Sequence, residues 1–176
     1  KSVVGGIPNK YKVEWINAYE LKIEPCVACT KCRPDQECIL PQDDAHIVCR
    51  KIKEADGLIV GTPTHWGNMS AQLKLLFDRN VPVIMGEKRN GMPYPCQKRK
   101  PAVIVTACSA PWPLSFIAAE SRGAIRAVNH ILHYGGYRIL GKIVKPGTKS
   151  TPQISKRLLK NPELSAANSK SYLRFC

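Results

Sequence analysis

The 176-residue sequence predicts an α/β domain built on a parallel sheet, and three observations carry the prediction. Two compact apolar runs, Gly57-Leu-Ile-Val-Gly-Thr-Pro63 and Ala102-Val-Ile-Val-Thr106, have the unbroken hydrophobicity of strands covered on both faces. Segments with apolar residues three and four apart follow each of them, so strand and helix alternate along the chain. Alternation of this kind requires right-handed crossovers between parallel strands. The composition suits one folded domain, with 44% hydrophobic residues and with Gly and Pro scattered rather than pooled into a linker.

Taken in order, Gly5-Gly6-Ile7-Pro8-Asn9 reads as the end of an element followed by a turn. Val13, Trp15, Tyr19 and Leu21 alternate with polar residues and predict a strand exposed on one face. Gln42-Asp43-Asp44 offers an N-cap and two acids in a first helical turn, while Ile47, Val48 and Ile52 mark an apolar face as far as Ala55. After the strand ending at Pro63, Ser70 can cap a helix whose Leu73, Leu76 and Phe77 form one stripe before Asp78 and Arg79. Beyond the strand ending at Thr106, a long helix is expected from about Leu114 to Tyr134, with Ile117, Ile125, Val128 and Leu132 inward and Gly135-Gly136 ending it. Tyr137 to Val144 makes the last strand. Pro152 to Leu159 predicts a terminal helix, and Asn161 to Cys176 carries weak signals.

A formal charge of +14 raises nucleic-acid binding as a question. The local basic runs are Lys98-Arg99-Lys100 and Glu87-Lys88-Arg89, but aromatic content is 7% and the basic residues are not interleaved with aromatics, so no stacking platform emerges. The charge reads instead as a solvated basic surface, suited to attracting an anionic cofactor such as a flavin phosphate or a dinucleotide. No apolar run approaches the roughly 18 residues of a membrane span, and no signal-peptide pattern opens the chain. The expectation is a soluble, cytoplasmic protein that takes neither nucleic acid nor membrane as partner. An α/β chain of this length does not need disulfide staples, so its cysteines read as mostly reduced.

Four of those cysteines, Cys26, Cys29, Cys32 and Cys38, fall within thirteen positions behind Pro25. Short loops cost little closure entropy, and thiolates are the soft ligands that iron-sulfur clusters and zinc prefer. Spacing alone leaves four readings open: a cluster, a zinc site, a redox thiol pair, and plain loop cysteines. A cluster bound by four thiolates would carry negative charge that Lys31 and Arg33 can offset.

Ligands in parallel α/β sheets sit beyond the carboxyl ends of the strands. The loops leaving those ends are Pro63-Thr64-His65-Trp66-Gly67-Asn68-Met69 and Thr106-Ala107-Cys108-Ser109. Gly67 lets backbone approach a flat ligand, Trp66 can flank it, and amides around Asn68 and Met69 can serve a polar ring edge. This is the profile of a flavin pocket or of another apolar active-site loop.

Several motifs in order then carry a resemblance. Glu24-Pro-Cys-Val-Ala-Cys-Thr-Lys-Cys32, Cys38, Asp43-Asp44, Ala55-Asp56-Gly57-Leu-Ile-Val-Gly-Thr-Pro63, Trp66-Gly-Asn-Met-Ser-Ala-Gln-Leu-Lys74 and Phe77-Asp-Arg79 together resemble the NADPH-dependent FMN reductases. Within that flavodoxin-like group, the cysteine spacing is most similar to the iron-sulfur flavoproteins. The resemblance implies a single flavodoxin-like domain over residues 1–176, a three-layer sandwich with sheet order 2-1-3-4-5, and a cysteine-rich loop at 26–38 inside it. It implies FMN held by Pro63, Thr64, His65, Trp66, Gly67, Asn68 and Met69 together with Thr106, Ala107, Cys108 and Ser109. It implies a four-iron four-sulfur cluster held by Cys26, Cys29, Cys32 and Cys38, relaying electrons to or from the flavin, whose chemistry the protein positions and tunes. NAD(P)H as electron donor, a small-molecule or protein redox partner and a dimer or tetramer belong to the same expectation. An NAD(P)H-dependent FMN or quinone reductase without a cluster, and a basic zinc or nucleic-acid module, are the alternatives.

The chain departs from the family pattern in three places. His65 stands where relatives commonly have Tyr, and Ala107-Cys108-Ser109-Ala-Pro-Trp-Pro113 stands where many have glycines, so Cys108 reads as a packing residue and Trp112 as a border of the cleft. Relatives also open with a strand, a phosphate loop and a helix, which nothing before Tyr11 resembles. Without that central strand, the strands near Trp15 and Ile59 would stand about 10 Å apart, twice the usual spacing, with unpaired backbone facing the gap. The expectation is that the first strand and the FMN phosphate grip lie outside this chain.

Overall fold

A computed structural model describes residues 12–32, 37–118 and 120–154. Helix α1, Asp44–Glu54, starts where Asp43 takes an extended backbone and its carboxylate accepts the Ala45 N–H. Strand β1, Leu58–Pro63, leads through a turn to α2, Ala71–Arg79, whose cap is Ser70 accepting the Leu73 N–H at 3.4 Å. The short α3, Val81–Ile84, and an antiparallel pair, β2 Met85–Glu87 with β3 Pro93–Pro95, carry the chain to β4, Pro101–Ala107. Helices α4, Leu114–Ile117, and α5, Glu120–Tyr134, precede β5, Arg138–Lys145.

The sheet is parallel, in the order β1-β4-β5. Strands added in one direction by right-handed crossovers place their helices on one face. The core shows this packing: Leu58, Val60, Ala102 and Ile104 of the sheet meet Val48 and Ile52 of α1, Leu73, Leu76 and Phe77 of α2, and Val128 and Leu132 of α5. The opposite face gathers Val103 and Ile143 with Ile59, Val105 and Leu140. A register shift between Ala102 and Val103 steps from Ile139 to Gly141, which leaves Leu140 as the extra residue of a bulge.

The three strands in sequence order match the 3-4-5 portion of the expected sheet. The strand expected over Val13–Leu21 is not formed: residues 12–17 are irregular and 18–20 turn. Among the described residues β1 pairs only with β4, so this segment has no ladder to join, yet Ile16, Leu21 and Ile23 still pack on the core. Burial in β1 alternates, with Leu58, Val60 and Thr62 buried and Gly61 and Pro63 exposed, where both faces had been expected to be covered.

Two helix expectations are corrected as well. Ile47 of α1 is exposed, because the inward face is set by Ala45, Val48 and Ile52. The helix expected over 114–134 breaks into α4 and α5, and Ile117 is 70% exposed rather than inward. Val128 and Leu132 are fully buried, as their spacing requires. The β2–β3 hairpin was not anticipated, although Asn90-Gly91 between the strands is a recognised turn signal. Pro152, Gln153 and Ile154 are not helical, and the remainder of the helix expected there, like the turn expected at 5–9, lies outside the described residues.

Candidate functional site

The two loops expected to carry a flavin meet at the carboxyl end of the sheet. Thr64 N–H donates to Ala107 O at 2.8 Å, and the Thr64 and Thr106 hydroxyls stand 3.1 Å apart. Cys108 N–H donates to Lys145 O at 3.0 Å, and Thr148 returns two bonds to Cys108 O, so the β4 loop is locked to the end of β5. Cys108 is buried, and burial pushes its thiol up, which keeps it protonated at neutral pH and suits packing rather than nucleophilic chemistry.

Residues 65–68 form a two-residue hairpin turn in which His65 and Asn68 exchange backbone bonds of 2.9 Å. Both central residues have positive φ, 50° at Trp66 and 69° at Gly67, the signature of a type I′ turn. The Asn68 amide is committed to His65 O and the Met69 amide to Asn68 Oδ1 at 2.8 Å. Among the described residues this leaves the Trp66 and Gly67 amides as the turn's uncommitted donors, two residues earlier than the Asn68 and Met69 amides that the sequence suggested. Met69 is buried in the core and anchors the turn from below. Behind the turn, Gly123 of α5 comes so close that a Cβ there would stand 1.8 Å from Gly67 O. An open groove of about 420 Å³ runs on that side, lined by Asn68, Lys74, Arg126 and His130.

The same end of the sheet exposes flat and apolar side chains. Trp66 is fully exposed, and Trp112, Leu114, Phe116 and Ile117 are each more than half exposed. Exposed apolar side chains gathered at one place on a domain mark where ligands or partners sit. Periodicity had assigned Ile117 to the core. The Pro111-Trp112-Pro113 break was the available signal that this segment leaves the helix and turns outward.

Trp66 sits in a region that costs a bulky residue of the order of 1 kcal/mol. Trp66→Asn, which restores the favoured Asn-Gly pairing of this turn, should therefore raise unfolding stability by about 1 kcal/mol in urea titrations. A loss of stability would show that Trp66 has packing of its own.

The cysteine loop is organised by residues outside it. Asp43 accepts the Glu24 N–H at 3.1 Å and a two-point bond from Arg79, Nη1 to Oδ2 at 2.7 Å and Nη2 to Oδ1 at 3.1 Å. Arg79 Nη1 also donates to Glu24 O at 2.5 Å. His46 closes the other side, with Nδ1 beside Asp43 Oδ1 and Nε2 beside Cys38 O, each at 3.0 Å. Both ends of the loop, Glu24 and Cys38, are thus tied to one buried ion pair. Burial by itself pushes the Asp43 carboxyl up, but the Glu24 N–H, the Arg79 guanidinium and the His46 ring together outweigh it and hold it below the ordinary value. Phe77-Asp-Arg79 was legible as the end of a helix; that Arg79 turns inward to Asp43 was not.

Cys26 is exposed, and Cys29, Cys32 and Cys38 are half-buried. Ala28 and Thr30 have left-handed φ of 51° and 58°, so the loop curls between its first and third thiols. Among the described residues no three Cys, His, Asp or Glu side chains stand close enough to hold a metal ion. The donor chemistry nevertheless fits a cluster, and a buried, unpartnered Arg79 Nε lies beside the loop's end. Cluster binding would have to draw the thiols together between ends that are already fastened.

Helix α2 joins the two places. It starts at Ser70, whose N–H donates to Thr62 Oγ1 at 3.0 Å beside the 65–68 turn, and ends at Arg79 under the cysteine loop. Its nine residues rise about 13 Å.

Known proteins similar to this chain identify its family and its fold. The family model of NADPH-dependent FMN reductase matches residues 3–147. The chain belongs to that family. An iron-sulfur flavoprotein of Methanocaldococcus jannaschii is 39% identical over 75 residues, which cover 43% of this chain and 38% of that protein. Another, from Methanosarcina thermophila, is 45% identical over 60 residues, covering 34% of this chain and 31% of its own length. The chain thus aligns with well under half the length of these curated relatives. Among solved structures, the azoreductase AzrA superposes with a TM-score of 0.63 at 14% identity, covering 95% of this chain and 84% of its own. An FMN-dependent NADH-azoreductase from Bacillus anthracis, solved with FMN, superposes with a TM-score of 0.61 at 16% identity, covering 96% and 84%. At these identities the structures establish the flavodoxin-like fold of this FMN reductase family member. Among the described residues no helix is long and apolar enough to cross a membrane.

Proposed function

We propose that this member of the FMN reductase family is a flavin-dependent oxidoreductase in which Cys26, Cys29, Cys32 and Cys38 hold a four-iron four-sulfur cluster. FMN, when bound, supplies the hydride and single-electron chemistry, and the cluster supplies a one-electron relay. The observation that carries the reading is the meeting of the β1 and β4 loops, where the Thr64–Ala107 bond, the I′ turn and the exposed Trp66 and Trp112 form a surface suited to a flat ring. Pro63, Thr64, His65, Trp66, Gly67, Asn68 and Met69 supply one wall, and Thr106, Ala107, Cys108 and Ser109 the next. Trp66 and Gly67 amides serve the ring's polar edge, and the buried Met69 keeps the turn in place. Arg126 and Lys74 make the neighbouring groove basic, which suits the phosphates of a reduced nicotinamide dinucleotide as donor. Two observations support the cluster: the thiol donor set on a loop fastened at both ends, and the names of the curated relatives. Assembly into a homo-oligomer would let one copy's cysteine loop approach another copy's flavin turn and shorten the path set by α2.

Anaerobic purification followed by iron, sulfide, zinc and flavin analysis tests the reading. Cys26→Ser should abolish the broad visible absorbance that dithionite bleaches and remove most bound iron, leaving FMN bound. Iron and absorbance that survive the change would remove the quartet as the ligand set. A second reading, an FMN or quinone reductase whose cysteines bind nothing, is favoured by the ungathered thiols. It expects stoichiometric flavin and no iron in the unmodified protein.

A further inference from the structure

The guanidinium of Arg79 is fully buried, which is unusual for a side chain of this size and charge. Its two terminal nitrogens are accounted for: Nη1 and Nη2 hold Asp43, and Nη1 also holds the carbonyl of Glu24, two residues before Cys26. Among the described residues its Nε–H has no acceptor. Arg79 lines a small cavity with Cys38, His46 and Cys49, and its accessible space of about 10 Å³ is room for one water at most. Cys38 borders that cavity, so its thiol and the buried guanidinium share one small space. If Arg79 served only to fasten α2 to α1, the fork on Asp43 would suffice, and an unpaired buried donor beside a thiol would be a cost with no return.

We propose that Arg79 is a positioning residue of the cluster site, its Nε–H and its charge directed at the Cys38 sulfur so that they set the reduction potential of the cluster held there. This inference rests on the cluster reading above. A thiolate ligand accepts a hydrogen bond that a thiol accepts poorly, so cluster binding gives the orphaned donor its partner. Reduction adds one electron and one negative charge to the cluster, and a buried cation and donor at a ligand sulfur stabilise that more negative state. The shape of Arg is required: the fork engages Asp43 and Glu24 while Nε stays free for sulfur, which the point charge of Lys cannot reproduce. His46, bonded to Cys38 O and Asp43, fixes the backbone of the ligand residue beside this cavity.

The test is a dye-equilibrated redox titration of the anaerobically purified full chain, unmodified and as Arg79→Lys and Arg79→Gln, with iron counted in each sample. Both variants should keep flavin. At the potential where half of the unmodified cluster is reduced, Arg79→Lys should be less than half reduced, and Arg79→Gln less again or depleted of iron. Variants with unchanged iron and unchanged potential overturn the inference while leaving the cluster reading standing. An unmodified protein without iron overturns both. A second measurement does not depend on the variants folding. Pulsed EPR of the reduced protein grown on ¹⁵N-arginine, in an Arg33→Lys background that removes the arginine next to Cys32 in sequence, should show nitrogen coupling to the cluster. Absence of that coupling overturns the inference as well.

Discussion

Gly123→Ala should destabilise the domain and weaken FMN binding together. The added Cβ would stand 1.8 Å from Gly67 O and 2.9 Å from Gly67 C, both backbone atoms of the I′ turn, so neither can swing aside as a side chain would. Alanine gains about 1 kcal/mol over glycine in a helix interior such as α5. Overpacking a rigid contact costs about 1–3 kcal/mol, and a contact this short belongs at the upper end, so the clash wins. The only relief is to move α5 or the turn. Since the turn presents Trp66 and Gly67 to the proposed flavin surface, its displacement should lower FMN affinity at least tenfold, roughly 1.4 kcal/mol. Urea unfolding and flavin-fluorescence titration measure the two effects. A variant with ordinary stability and ordinary flavin affinity would show that the α5–turn contact does not position the site.

Asp43→Ala carries the largest expected loss of stability. The carboxylate caps α1, receives the Glu24 amide and neutralises Arg79, whose side chain is 0% exposed. Removing one partner of a buried pair leaves the other charge unpaired, which costs about 3–5 kcal/mol. That is a large part of the 5–15 kcal/mol or so that holds a typical domain together. The dependence on pH follows from the depressed folded-state pKa of Asp43. Between that value and the ordinary 3.8, the unfolded chain binds more protons than the folded one, so stability rises with pH across that window. The Asp43 contribution is complete above 3.8 and is lost as pH falls through the folded pKa. Urea titrations of both proteins at several pH values should therefore show a constant gap above that range and a narrowing one below it. A gap that widens on acidification would contradict the assignment of Asp43 as the ionised partner of Arg79.

The two predictions concern contacts of opposite legibility. The start of α1 was readable from Gln42-Asp43-Asp44, because a polar cap and acids ahead of an apolar helical pattern are a local signal; that Asp43 is the cap, with Asp44 alone in the first turn, was decided by the structure. Gly123 was not readable: a glycine within a helical run is ordinary in sequence, and its reason is a turn 56 positions earlier, at Gly67. The same contrast runs through the elements. The apolar runs at 58–63 and 101–107 became parallel partners in the expected order, because unbroken β-branched hydrophobicity has few other outcomes in a chain that alternates with helices. The alternation over Val13–Leu21 was as clear, yet no strand forms there among the described residues, because a strand needs a neighbour as well as a pattern.

By itself, then, the sequence determined the fold class, the two carboxyl-end loops and the thiol donor set, since each follows from local pattern, turn chemistry or ligand type; the order of β1, β4 and β5 came from the family resemblance that its motifs carry. Tertiary structure alone decided how those parts are held. It brought Thr64 to Thr106 and Ala107, packed Gly123 on Gly67, turned Ile117 outward, and drew Arg79 to Asp43 and Glu24 across 36 and 55 positions of chain. The physical reason is that buried charge and close backbone contact are settled by which surfaces meet, and residues distant in sequence leave no periodic trace of that meeting.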